Sequence, residues 1–364
     1  MPEGAEIRRA ADKLAQVLEG QVVTTVRFDL PRLRRYAKQL RQLLHTNSST
    51  YADRSVRLPS PVIGATTRSQ HAINPAYTWE TPLKKTCYSR GLAINGYSDN
   101  GVSTMPEPLI LERQDAVAII AINDAPYNRM SLEFIDQLEV LIGEIASDDS
   151  IRAVVLTAAG MDNFSVGMNL KQLPEGIQRK GSPDALFGQR LRVIGAIEGM
   201  RKPWIATLFG FCLGGGLELP LGCHFRLAAA EGAQIGLPEM DLGTVPAWGG
   251  SARLSKCIGR DQALDMILRA RKISGPEALR IGLVHEVWPL AELKDRAIEL
   301  AHELAAQPAL AVRSMMEVIG SSRECSLEEL LQAERRAVTA TLGSPDAKEG
   351  MMAFLEKRKP VFNQ

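Results

Sequence analysis

The sequence has little of what metal, redox or membrane proteins are built from. Its five cysteines, Cys87, Cys212, Cys223, Cys257 and Cys325, never fall at CxxC spacing. That argues against a zinc ribbon and a disulfide framework and leaves them as reduced thiols. None of the five histidines (His45, His71, His224, His285, His302) has a partner at ligand spacing, so no metal site is expected. No apolar run is long enough to cross a bilayer, and no basic segment with a hydrophobic stretch opens the chain. The expectation is a cytoplasmic protein that does not engage membranes. Neither a GxGxxG fingerprint nor a P-loop occurs, which argues against nucleotide triphosphate chemistry. Net charge is also scarce at +1, but it is unevenly placed. Residues 1–104 carry 15 Lys and Arg against 8 Asp and Glu, the remainder 28 against 34. The basic run Arg32, Arg34, Arg35, Lys38 and Arg41 could meet nucleic-acid phosphates. A solvated basic face is the better reading, and nucleic acid is not expected as a partner.

What the chain does have is a central stretch, Pro203 to Gly250. Trp204 to Phe211 reads as a strand. It breaks at Gly214, Gly215 and Gly216 and resumes as a short helical turn bearing Glu218. Glycines there let the backbone approach a bound group, and the unpaired amides of a helix start point outward. A second acid follows in Gly236-Leu237-Pro238-Glu239. Two carboxylates beside a donor-lined turn suit acid and base work on a carbonyl compound. Either acid alone would more often be a solvated surface residue. Asp241, two residues on, would share a strand face with Glu239 and reads as a structural acid.

Around this stretch, Leu109–Arg113 and Ala116–Ile122 read as paired strands. Ser131 caps a helix with Ile135, Leu138, Ile142 and Ile145 on one face, and Ala153–Thr157 is the next strand. Repeated strand and helix units imply an α/β architecture. Gly176–Gly188 reads as a polar cover over the site. Ser326 with Glu329 forms a capping box for a helix over Leu327–Thr341, and Ser344 with Pro345 opens the last helix.

The runs GFCLGGGLEL, IGLPEMDLGTVPAWGGSARL and ISGPEALRIGLVHEV resemble the crotonase superfamily, in particular enoyl-CoA hydratases, over residues 105–364. The resemblance implies a ClpP/crotonase-like spiral of ββα units with a helical C-terminal part that forms homotrimers or dimers of trimers. It implies addition of water to a 2-enoyl-CoA thioester, with coenzyme A entering as part of the substrate and no separate cofactor. Glu218 and Glu239 fall on the two acid positions, and the amides of Met168 and Gly215 on the oxyanion donors. Val166, Gly167, Lys171, Gly214, Trp248, Phe354, Lys357 and Lys359 match substrate or coenzyme A positions. Met168 replaces a small residue, Asn169 an aspartate, and Trp248 stands in PAWGG where PGxGG is common. Other reactions of the superfamily, double-bond isomerisation or thioester hydrolysis, are the alternative. Ala247 stands where dienoyl isomerases carry an aspartate, which argues against that branch.

The first 40 residues, MPEGAEIRRAADKL onward, resemble the N-terminus of the formamidopyrimidine-DNA glycosylase and endonuclease VIII family, in which Pro2 would be the nucleophile and Glu3 its assistant. Nothing further along supplies the rest of such an enzyme. The expected layout is a truncated glycosylase-like fragment at 1–41, partly helical or disordered, a poorly ordered linker at 42–104, and the acyl-CoA domain at 105–364, with Met105 resembling the start of an ordinary crotonase chain.

Overall fold

The computed structural model describes residues 107–364. The partly helical fragment expected at 1–41, the basic run and the 42–104 linker lie outside the described residues. The main sheet begins with the hairpin β1 (Leu109–Gln114) and β2 (Val117–Ile122), closed by Asp115 at φ 50°. β3 (Ala153–Ala158), β4 (Trp204–Leu208), β6 (Phe225–Ala229) and β8 (Glu286–Trp288) then add in parallel, in the order β1-β2-β3-β4-β6-β8. Parallel strands are covered on both faces and so read as unbroken apolar runs. β3, AVVLTA, and β4, WIATL, are buried at every residue. Their two threonines bond each other, Thr207 Oγ1 to Thr157 Oγ1 at 2.8 Å, so neither buried hydroxyl is left unpaired.

Helices α1 (Leu132–Ser147), α2 (Leu173–Lys180) and α3 (Pro183–Glu198) follow the early strands. The Ser131 cap is present, its side chain accepting from Phe134 N. After the Gly-rich turn comes α4 (Gly215–Leu221). The pair α5 (Gly250–Ile258) and α6 (Arg260–Leu268) and the short α7 (Gly275–Arg280) precede β8. The C-terminal helices are α8 (Leu290–Ala305), α9 (Ala309–Gly320), α10 (Leu327–Thr341) and α11 (Pro345–Glu356). Both reciprocal bonds of the Ser326–Glu329 capping box are made, and Ser344 accepts from Ala347 N. Among the described residues no helix is long and apolar enough to cross a membrane, and no cluster of His, Cys, Asp or Glu could hold a metal ion.

Two local expectations fail for tertiary reasons, and one polar stretch takes a form the sequence left open. The strand expected from Trp204 to Phe211 is two: β4 ends at Leu208, and β5 (Phe211–Leu213) pairs in parallel with β7 (Gln234–Gly236) in a separate two-stranded sheet. The break is Gly210, at φ 51°, where a Cβ would collide with the Asp162 carbonyl. The polar stretch at 176–188 is built of helix, α2 and α3 meeting at Gly181 with φ 86°. Its polarity is used, because Arg179 and Lys180 reach Glu133 and Asp136 on α1. Glu239 and Asp241 do not alternate along a strand; Glu239–Leu242 is a single 3-10 turn, and Asp241 reaches Lys272 at 3.6 Å.

Candidate active site

Two loops and two acids meet at the N-terminus of α4. β5 and β7 run side by side, and Gly214 N donates to Gly236 O at 3.1 Å where they end. Each strand then delivers one acid: Glu218 on α4 and Glu239 on the 3-10 turn. The Glu239 carboxylate lies against Gly214, where a Cβ would sit 3.2 Å from its Oε1. Gly214 adopts φ 56°, ψ −125°, which an L side chain rarely tolerates.

Facing this turn is the loop Phe164–Asn169. Ser165 ties it down, its N–H donating to Phe211 O at 2.9 Å and its carbonyl accepting from Leu213 N at 3.0 Å. Ser165 Oγ donates to Asn128 O at 2.6 Å and accepts from Gly167 N at 3.0 Å. Fully buried Asn128 in turn donates to Ala159 O and Asn163 O. The outcome is a close approach of two backbones: a Cβ on Gly167 (φ 91°) would lie 2.7 Å from Leu213 O and 3.0 Å from Gly215 N. The amides of Met168 and Gly215 donate no hydrogen bond among the described residues, so two donors at the junction are free for an incoming oxygen. Val166 N is not, since it donates to Tyr127 O at 3.1 Å.

Glu218 is 2% exposed. Its Oε1 accepts from Trp248 N at 2.8 Å and Gly250 N at 2.9 Å. Burial pushes its carboxyl up to about 7, against the pull of those two amides, and the charge of Glu239 adds to the rise. Glu239 is also raised by burial, with its own amide pulling the other way, and its Oε2 is buried with no hydrogen-bond partner. Trp248 links the parts. Its amide holds Glu218, its ring covers Gly215, where a Cβ would come 2.5 Å from Cζ3, and its carbonyl accepts from Arg253 at 3.1 Å.

The raised carboxyl has a consequence for stability. The folded chain holds the Glu218 proton more tightly than the unfolded chain, where the ordinary value is 4.5, so this group's contribution is intact below pH 4.5 and is lost as pH rises through about 7. The full cost is on the order of 3 kcal/mol. Glu218→Gln is therefore expected to unfold at higher urea concentration than the parent at pH 8, with the gap closing towards pH 4.5. Equal midpoints at both pH values would contradict this.

With that geometry in hand, relatives can be compared. The sequence model described as enoyl-CoA hydratase/isomerase matches residues 112–364. The chain belongs to the enoyl-CoA hydratase/isomerase family. Among curated relatives of this hydratase/isomerase, the short-chain-enoyl-CoA hydratase of Clostridium acetobutylicum is 34% identical over 252 residues, covering 69% of this chain and 95% of the relative. A crotonyl-CoA hydratase of Syntrophomonas wolfei is 32% identical, covering 70% and 98%. Among solved structures, an enoyl-CoA hydratase of Geobacillus kaustophilus superposes with a TM-score of 0.67 at 33% identity, covering 71% of this chain and 98% of that one. The described part thus has the crotonase fold. Residues 1–111 fall outside the family match, and the glycosylase resemblance of the N-terminus has no support from it.

The hydratase/isomerase fold therefore brings Glu218, Glu239, Gly167, Met168, Gly214, Gly215 and Trp248 together. Lys171 is exposed beside them in the 3-10 turn Leu170–Gln172. Phe354, Lys357 and Lys359 are exposed at the end of α11. Phe354, 82% exposed, lines a cleft of about 430 Å³ between α9, α11 and the C-terminal tail whose lining includes none of the residues around Glu218. Sequence reasoning missed Asn128, Ser165 and Arg253, which hold the two loops and Trp248 in place. Isolated polar residues of this kind give no periodic signal.

Proposed function

We propose that the chain hydrates 2-enoyl-CoA thioesters. The observation that carries this is the pair of acids on either side of an open-amide turn, half-buried Glu239 against Gly214 and buried Glu218 fastened to the Trp248 and Gly250 amides. The thioester oxygen accepts from the Met168 and Gly215 amides, so the double bond is drawn towards an enolate. Such donors are worth about 3 to 4 kcal/mol each in the transition state. Burial raises both carboxyls, and the charge of Glu239 raises Glu218 further, so in this reading one member of the pair serves as acid and the other as base. The base takes a proton from water as its oxygen bonds to the β-carbon, and the acid gives its proton to the α-carbon. The water's atoms all enter the product, and the pair ends with one proton as it began. The substrate needs no separate cofactor. Lys171, Lys357 and Lys359 are cations suited to its phosphates and Phe354 to its adenine. Those last three belong to a neighbouring copy in the homotrimer we propose, which the exposed Leu327, Leu342, Met351 and Leu355 support.

Crotonyl-CoA supplied to the full chain is expected to lose its enoyl-thioester absorbance with formation of 3-hydroxybutyryl-CoA. A shift of the double bond in a 3-enoyl-CoA without any hydration would favour the isomerase reading instead.

A further inference from the structure

Arg253 stands at the start of α5, where the helix dipole favours an acid over a cation. Its contacts lie outside its own helix. Nε donates to Glu198 Oε2 at 2.9 Å, at the end of α3, and Nη1 donates to Trp248 O at 3.1 Å. The ion pair with exposed Glu198 stabilises little by itself. What it does is hold the guanidinium against the loop Trp248–Gly250. A Cβ on Gly249 would collide with Arg253 Nη1, and one on Gly250 would lie 2.8 Å from Glu218 Oε1. The loop is thus pressed between the guanidinium on one side and the Glu218 carboxylate on the other.

That loop supplies both amides that Glu218 receives. The N–H groups of Trp248 and Gly250 converge on Oε1, and among the described residues no group donates to Oε2. Two donors occupy the lone pairs of Oε1, which leaves Oε2 as the oxygen that carries the proton. Trp248 gives its N–H to Glu218 and its carbonyl to Arg253, so the residue is gripped from both sides.

Few charged or titratable groups surround Glu218. Glu239 faces it from the 3-10 turn and Arg253 from α5, and these two act on its charge directly. On α3, Glu198 is taken by Arg253, and Arg190 stands behind the Trp248 ring. Arg226 donates to Pro220 O and Cys223 O at the C-terminal end of α4, and burial keeps the Cys212 thiol of β5 protonated. Among the described residues, Arg253 is the cation that bears on Glu218.

We infer that Arg253 is a positioning residue for Glu218, clamping the Trp248–Gly250 loop so that both amides stay on Oε1 and the proton is exchanged at Oε2. The catalytic meaning of this clamp rests on the acid-pair reading of the site, to which it adds what sets one member's affinity for its proton. Removing the guanidinium loosens the two amides and takes away a positive charge, and both changes disfavour the carboxylate. An arginine that only joined α3 to α5 would leave the titration of Glu218 where it is.

That titration can be read through the stability of the full chain, whether or not hydration occurs. The gap in urea midpoint between the parent and Glu218→Gln opens above pH 4.5 and levels off once pH passes about 7. In Arg253→Met, measured with and without Glu218→Gln, the gap is expected to level off about one pH unit higher. Arg253→Lys keeps a cation but not the fork that spans both partners, and a smaller upward shift is expected. Lys256→Met removes a cation of the same helix that is paired with Glu324, and should leave the gap where it was. An unshifted gap in folded Arg253→Met overturns the clamp, as does an unshifted gap in Arg253→Lys where the methionine variant does not fold, or an equal shift in Lys256→Met. If the gap shifts but crotonyl-CoA is not hydrated, the clamp on Glu218 stands and the hydratase reading fails. If crotonyl-CoA is hydrated and the gap is unshifted, the clamp alone fails.

Discussion

Glu239→Gln is expected to slow hydration of crotonyl-CoA by about 10²- to 10⁴-fold at pH 7 with KM within about threefold of the parent. The side chain meets little protein that could explain a loss by unfolding. It is half-buried, its Oε1 lies against Gly214, and its Oε2 has no hydrogen-bond partner. An amide of the same shape keeps the packing and loses the ability to take up or release a proton. Glu218→Gln removes the other half of the pair, and a similar fall is expected there, although it should raise stability at pH 8 as argued above. A double variant no slower than either single one would agree with two residues acting as one unit. If Glu239→Gln retained more than about a tenth of the parent kcat, well short of general acid–base magnitudes, the acid-pair mechanism would be wrong.

Gly167→Ala is expected to reduce kcat/KM by about 10²- to 10³-fold, the range for losing one oxyanion donor. At φ 91° the new side chain meets Leu213 O at 2.7 Å and Gly215 N at 3.0 Å, both backbone atoms that cannot rotate away. The Met168 and Gly215 amides would have to separate. Strain and displacement can be told apart by Gly181→Ala, at φ 86° with nothing within 4 Å of the added methyl. Both variants carry the backbone cost of about 1 to 3 kcal/mol, so both should melt lower, while only Gly167→Ala should lose activity. Equal activity in the two would mean that the close approach at Gly167 does not position the donors.

The parts of this molecule legible in its sequence are those fixed by neighbours along the chain. The Gly-rich turn before Glu218, the Ser131 and Ser344 caps and the Ser326–Glu329 box are local hydrogen-bonding devices, and each lies where the spacing puts it. The misread segments depend on contacts distant in sequence. Gly210 ends β4 because of Asp162, 48 residues earlier. The helix Leu173–Lys180 is polar in composition, and its cations are matched by acids on Leu132–Ser147. Gly176 lets it seat against Leu132 and Leu186, where a Cβ would lie 2.8 Å and 3.1 Å from their methyl groups. The burial of Arg190 carries no local signal, because burial is decided by packing of whole elements and not by the residue's own type.

The small sheet of Phe211–Leu213 and Gln234–Gly236 governs the spacing of the acids. Its register pairs Leu213 with Gly236, and both carboxylate-bearing segments leave from those ends. A slip of one position would move one acid by about 3.3 Å relative to the other and turn alternate side chains to the opposite face. The spacing of the two acid-bearing segments is therefore ruled by backbone pairing, and not by the side chains they carry. Exchange of either acid would leave the frame that spaces them unaltered, so the tips of this scaffold can change without repacking the sheet beneath.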